Sequence, residues 1–392
     1  MKKINSILKA TSLFCGSLLF ASVALTACSS DNNEPSDDQN KVESKDLDYT
    51  AENANSWHNY SVRVAELLAR DSESLYNSWT VSYEGGVPFA ESFRNASGSY
   101  TSYSNCVEEI LGGCADIANE VGEAKIGDPY SLFVSGRTEE ALYAVESWYS
   151  WHSREDYSNN IYSIRNSYLG SLDGTEQAHS MGALVKSIDP DLDAATRAAI
   201  DAAAKAILAI PQPFRNNINS AEARNAMSVC GDLESIITNQ LKPFFAGLSS
   251  SYDSELEAIV HNYVDDVVIP TYTTLKERNQ ALLEAVKALS SSRTDANFEK
   301  ACQAWLSARE PWERSEAFLF GPVDALGLDP NMDSWPLDQD AIVNHLNSGN
   351  FSDLDWSEGD DDAKVEAAQN IRGFHTLEFL LFKDGQPRTV SK

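Results

Sequence analysis

The sequence of 392 residues predicts an all-α protein, built as two helical-bundle domains packed together with a cleft between them. Three observations predict it. Apolar residues recur at three- and four-residue spacing along most of the chain, alternating strand patterns are absent, and capping and breaking residues bound the periodic stretches. Hydrophobic residues make up 42% and charged residues 23%, a globular balance. The charge is lopsided: 30 Lys plus Arg against 59 Asp plus Glu give a net charge of −29. Such a chain repels phosphate backbones, so nucleic acid is excluded as a general partner, whereas a metal ion or a small cationic ligand suits it. Only six histidines are present, too few for a His-rich metal site.

The N-terminus reads as an address. Lys2 and Lys3 precede a mostly apolar run, Ile4 to Ala27, that ends in Leu25-Thr26-Ala27-Cys28. This is the pattern of a lipoprotein signal peptide over 1–27, with Cys28 lipidated as the mature N-terminus. Residues 28–48 are acidic and nearly free of large apolar groups, so they are expected to be a tether. The expectation is an exported protein, held by a lipid on Cys28 to the bacterial outer membrane, at its periplasmic or cell-surface face. The membrane is then one partner.

The body follows. Val62, Ala65, Leu68, Leu75 and Trp79 step at helical spacing, as do Leu142, Val145, Trp148 and Tyr149. An Ala-rich helix is expected over 194–210, stopped by Pro211-Gln212-Pro213, and another over 220–241. Ser254 and Glu257 have capping-box spacing and open a helix over 254–289 that Pro270 should kink. Further helices are expected near 294–319, 338–347 and 361–383, with long loops at 80–105, 122–137 and 320–337. Pro243, Gly247 and the run Ser249-Ser250-Ser251 mark a composition break. It sets an N-terminal bundle over 49–250 and a C-terminal bundle over 251–392. Cys106, Cys114, Cys230 and Cys302 remain in an export compartment that permits disulfides; buried thiols are the favoured reading, with one disulfide the alternative.

The sharpest chemical signal is Gly373-Phe374-His375-Thr376-Leu377-Glu378 in an apolar run. His375 and Glu378 stand at i and i+3, on one helix face. A buried carboxylate without a partner costs several kcal/mol, so Glu378 needs one: a metal, a base or a hydrogen-bond network. A structural polar pair between His375 and Glu378 satisfies the spacing equally well. Gly373 inside a helix suggests close approach of another backbone or a ligand. Upstream, Arg309, Glu313 and Glu316 at i, i+4 and i+7 fall among Trp305, Trp312 and Phe320, so their face is expected to be at least half buried.

Together these stretches resemble the imelysin family, which is classified among the peptidases. The resemblance rests on the G-x-H-x-x-E motif at Gly373, His375 and Glu378. It rests also on Arg309, Glu313, Glu316, Phe318, Gly321 and Pro322, followed by Asp333, Trp335 and Pro336. A weaker resemblance covers Glu146 to Gly170, a stretch that usually follows the motif and here precedes it, as though the chain were circularly permuted. The resemblance implies two bundle-like halves with the motif lining a pocket between them. His375 and Glu378 are then the metal candidates, Arg309, Glu313, Glu316 and Trp335 lie near His375, and Ser150, Asp156 and Asn160 form the opposing wall. Asp156 and Asn160, at i and i+4, also suit a solvated helix face.

Members of the family are assigned peptidase activity on one side and roles in bacterial iron uptake on the other. A metallopeptidase needs a third ligand, a bound water and a base that this motif does not supply. One His and several carboxylates suit iron or another divalent cation, or a small metal-bearing ligand. The expected function is therefore an extracytoplasmic binding component of iron uptake, working with uptake-system partners. The alternative is a metal-dependent peptidase.

Overall fold

The Val62–Trp79 stripe lies on α1 (Ala54–Thr80) in a computed structural model that describes residues 44–357 and 359–390. Trp57, Val64, Leu68, Leu75 and Trp79 are withdrawn from water on its inner face. Each such side chain contributes roughly 2 kcal/mol relative to exposure. The first part of the chain continues through α2 (Phe89–Arg94), α3 (Tyr103–Glu120), α4 (Gly127–Val134), α5 (Thr138–Ala144), α6 (Ser153–Leu169), α7 (Met181–Ile188), α8 (Pro190–Ala209), α9 (Ala221–Ile236) and α10 (Lys242–Ala246). There follow α11 (Asp253–Asn262), α12 (Ile269–Ser291), α13 (Asp295–Glu313), α14 (Pro322–Ala325), α15 (Leu328–Asp333), α16 (Gln339–Ser348), α17 (Asp362–Gln369) and α18 (Gly373–Leu381). A two-residue hairpin, β1 (Phe382–Lys383) with β2 (Gln386–Pro387), is the only sheet among the described residues. The protein is all-α.

Several helices start where a short polar side chain satisfies a free amide. Ser102, Ser180, Asp189, Ser220, Thr294, Asp338 and Asp361 each accept from the backbone N–H three residues on. The capping box expected at Ser254 does not form, because α11 already starts at Asp253 and places Ser254 inside the helix. At Pro270 a π-helical turn, Tyr263–Val268, links α11 to α12. The wider turn accommodates the missing amide donor, so the helical run continues through the proline.

Four expected segments differ, the first being 80–105, expected as a loop, which contains α2 and the start of α3. Residues 122–137, expected as a loop, are mostly helical, as a π-helical turn Val121–Ile126 followed by α4. Residues 320–337 contain α14 and α15. The helix expected over 361–383 breaks at Gly373, where φ is +87°, and ends in the hairpin. The helical spacing at Leu142–Tyr149 also misleads, since α5 stops at Ala144 and the chain turns before α6.

Space rather than chain order groups the helices. α1 lies along α12, α12 along α13, and α18 packs against α1, α13 and α15. A second group comprises α3, α6, α8 and α9. α6 meets α13, and α3 meets the 3₁₀ turn Glu316–Phe318. The composition break near 250 therefore does not divide the packing, because α1 precedes it and α12 follows it; residues 42–392 cluster as one compact unit. Gly112 and Gly113 lie within α3. A Cβ on Gly113 would stand 2.2 Å from the Ala317 carbonyl oxygen, so this glycine lets α3 close on the turn that carries Glu316.

Cys106, Cys114, Cys230 and Cys302 are free thiols, all buried. The signal peptide, Cys28 and the tether up to residue 43 lie outside the described residues. The end of the expected tether is docked on the body: Ser44–Asp46 form a 3₁₀ turn, and Asp48 accepts from Lys383 Nζ at 2.5 Å and Arg388 Nη1 at 3.0 Å. Among the described residues no helix is long and apolar enough to cross a membrane.

Candidate functional site

Gly373 sets the geometry of the site. A Cβ there would sit 2.5 Å from the Met332 carbonyl oxygen, and its positive φ disfavours any other residue. The start of α18 thus docks on the end of α15, and Asp333 meets His375. His375 Nε2 lies 3.1 Å from Asp333 Oδ1, and His375 Nδ1 lies 3.2 Å from Glu378 Oε2. Both ring nitrogens are engaged. The Trp335 ring stands edge-on to the imidazole, 4.9 Å between centroids.

The second oxygen of Glu378 reaches the other helix group. Glu378 Oε1 accepts from the Ser150 amide at 2.8 Å and from Ser150 Oγ at 2.7 Å. Ser150 sits in the turn between α5 and α6, where Ser147 and Trp151 adopt left-handed φ of 51° and 59°. Such residues cost about 1 kcal/mol or more each, so surrounding contacts must hold the turn. Glu378 is one of them, and the Gly385 amide, donating to the Tyr149 carbonyl at 2.9 Å, is another.

Arg309, on α13, ties the halves of the network together. Its guanidinium donates to Asp333, lies 2.5 Å from Glu313 Oε1 off the hydrogen-bond axis, and reaches Asp156 Oδ2 at 3.4 Å. Asp156 also accepts from Ser147 Oγ at 2.5 Å and lies 2.9 Å from His152 Nδ1. Asn160 Nδ2 donates to Glu313 Oε2 at 2.5 Å. Trp312 Nε1 donates to Asp333 Oδ2 at 2.6 Å. Arg309, Glu313, His375, Glu378, Asp156 and Asn160 are all fully buried.

Burial and Arg309 both push the His375 pKa down, but Asp333 and Glu378 outweigh them and raise it to about 9. Burial pushes Asp333 up, yet Arg309 and His375 win and hold it below the usual carboxylate range. His375 is therefore an imidazolium between carboxylates at neutral pH. Glu313, raised by burial to about 8, is opposed by Arg309 but also feels Asp156. Burial likewise raises Glu316, and it lifts Asp329 to about 7. Lys125 is buried beside them, 3.0 Å from Glu146 Oε2. Carboxylates outnumber cations throughout this interior.

Glu313, Glu316 and Asp333 offer carboxylate oxygens that lie within 4.8 Å of one another. Glu316 also lines a cleft of about 1050 Å³, whose wall carries Glu108, Glu109, Asp116, Glu120 and Lys242.

The sequence model of peptidase family M75, described as imelysin, matches residues 25–239 and 268–392. The chain belongs to the imelysin family. An imelysin peptidase from Bacteroides ovatus, known from its crystal structure, is 60% identical; the match covers 89% of this chain and all of that one, with a TM-score of 0.88. The iron-regulated protein A of Synechococcus elongatus is 30% identical over 177 residues, 43% of this chain. The aligned stretch spans 39% of that relative's length.

In this imelysin-family chain Ser150, Asp156, Asn160, Arg309, Glu313, Glu316, Trp335, His375 and Glu378 lie in one region of the structure, while Cys28 is outside the described residues. Ser150 faces Glu378 across the helix groups, while Asp156 and Asn160 are buried against Arg309 and Glu313 rather than solvated. Arg309 and Glu313 pair on α13, and Glu316 joins them from the turn beyond its end. Sequence reasoning missed Asp333 as a site residue, although it stood in the quoted D-x-W-P segment. It also missed Ser147, His152 and Trp312. Lys125 and Asp329 escaped notice because both fall in stretches read as loops.

Proposed function

We propose that this imelysin-family protein is an extracytoplasmic binding component of iron uptake, anchored by a lipid on Cys28 and binding its ligand in the interior polar network beside α18. One observation carries the reading: a buried network in which carboxylates outnumber Lys125, Arg309 and the histidines. A bound cation favours the ionised forms of carboxyls that burial otherwise keeps protonated, so the excess suits a cation. The similarity to an iron-regulated protein supports iron as the cargo. The net charge of −29 raises the local concentration of any cation at the surface. The proposal includes export to the outer membrane, a transport partner that takes the ligand onward, and a permuted chain order relative to the family's usual one. Contact between the 146–170 stretch and the G-x-H-x-x-E helix supports that last point.

Hydrolysis fits the geometry less well. His375 and Glu378 are fully buried, both nitrogens of His375 have carboxylates at hydrogen-bond distance, and Ser150 and Trp335 pack against them. Elemental analysis of the purified Cys28→Ser protein after equilibration with iron, zinc, copper and calcium tests the reading. Stoichiometric iron is the expected result. Metal-dependent cleavage of casein, abolished in Glu378→Ala, would replace it with the peptidase.

A further inference from the structure

We propose that Glu313, Glu316 and Asp333 form an all-oxygen site for a hard cation, entered from the acidic cleft, with Glu316 the ligand that faces the cleft and His375 a hydrogen-bonding group behind the site. This rests on the binding function above and names the donor set that carries it.

Geometry comes first. The three carboxylates present oxygens within 4.8 Å of one another. Two oxygens on opposite sides of a cation with bonds of about 2.4 Å stand about 4.8 Å apart, so one ion spans the group with small side-chain adjustments. Asp333 is held in place by Arg309 and by Trp312 Nε1, and Glu313 by Arg309 and Asn160. These contacts fix both ligands and leave lone pairs on their oxygens.

Glu316 is the independent observation. It is only 6% exposed, yet its carboxylate has neither a hydrogen-bond donor nor an ion-pair partner among the described residues. Glu313 Oε1, wholly buried, likewise has no hydrogen-bond donor, and carboxylates without donors where a third converges mark a position for a ligand. The same side chain lines the cleft of about 1050 Å³. Glu108, Glu109, Asp116 and Glu120 on α3 make the cleft wall an electrostatic guide for cations. His375 differs: Glu378 and Asp333 stand at hydrogen-bond distance from its two nitrogens, which places it behind the carboxylates rather than among them. An oxygen-only set selects hard ions such as iron(III), manganese(II) or calcium over softer ones.

The test uses the Cys28→Ser chain with three probes: terbium(III), manganese(II) and iron(III) supplied as its nitrilotriacetate complex. Trp312, bonded to Asp333, should sensitise terbium emission at one ion per chain. Glu316→Gln should weaken binding of all three about tenfold or more, while the metal-free variant melts no lower than wild type, because no hydrogen bond or ion pair in the metal-free protein depends on this carboxyl. Glu378→Gln should weaken binding much less than Glu316→Gln does. Electron spin-echo spectra of the manganese-loaded wild type should show no directly coordinated imidazole nitrogen. Loss of binding in Glu378→Gln with retention in Glu316→Gln, or a coordinated nitrogen in the spectra, would move the metal to His375 and overturn this site, leaving the uptake reading intact. Failure of the wild type to bind any probe would overturn both.

Discussion

Arg309 and His375 show what a single buried charge does here. Arg309 faces Asp156, Glu313 and Asp333 with no water at hand, so Arg309→Met strands three carboxylates at once. Removing one partner of a buried ion network costs about 3–5 kcal/mol; urea unfolding of the variant should show a loss of that size. His375 makes stability depend on pH in a defined direction. Its pKa is raised in the folded protein to about 9, so its contribution is fully present below the unfolded value near 6.5 and is lost as pH rises through 9. The contribution is at most about 3 kcal/mol. Melting temperatures of wild type should fall between pH 6.5 and 9 more steeply than those of His375→Gln. Equal slopes would show that the imidazolium is not formed.

Among the elements, α18 and α3 depend on single glycines. Gly373→Ala forces a positive φ on a residue with a side chain and drives its Cβ into the Met332 carbonyl. The expected result is a loss of about 2 kcal/mol or more, with Asp333 pushed away from His375. Thermal melts and a crystal structure of the variant would check both. α3 carries Cys106 and Cys114 on its inner face, and burial pushes each thiol up to about 12. Thiolates are the reactive form. Ellman's reagent should therefore label none of Cys106, Cys114, Cys230 and Cys302 in the native protein and all four after denaturation. Fast native labelling would contradict the packing of α3 and α9.

At the scale of the molecule, the acidic body and its interior carboxylates are coupled through cation binding. A ligand bound only by the folded state stabilises it by about 2.7 kcal/mol at a hundredfold excess over the dissociation constant. Terbium or iron(III) should accordingly raise the melting temperature of wild type more than that of Glu316→Gln. Equal shifts in both proteins would indicate general screening of a chain with net charge −29 rather than occupancy of a site.

The helices were legible because their signals are local: apolar residues three and four apart, a cap such as Thr294, a stop such as Pro211. The same local code marked the G-x-H-x-x-E motif and the acidic face of α13. Proline misled where the backbone gave it another setting, as at the π-helical turn before Pro270. The site's wiring was not legible at all, because its partners are remote in sequence; Ser150 and Glu378 are 228 residues apart and Arg309 and Asp156 are 153 apart. Sequence alone determined an all-α chain, its strongly negative charge and the residue types that gather at the site. Only the tertiary structure decided that His375 spends both nitrogens on carboxylates while Glu316 is left without a partner, because burial and distance between remote segments, not spacing along the chain, set which buried charges are satisfied.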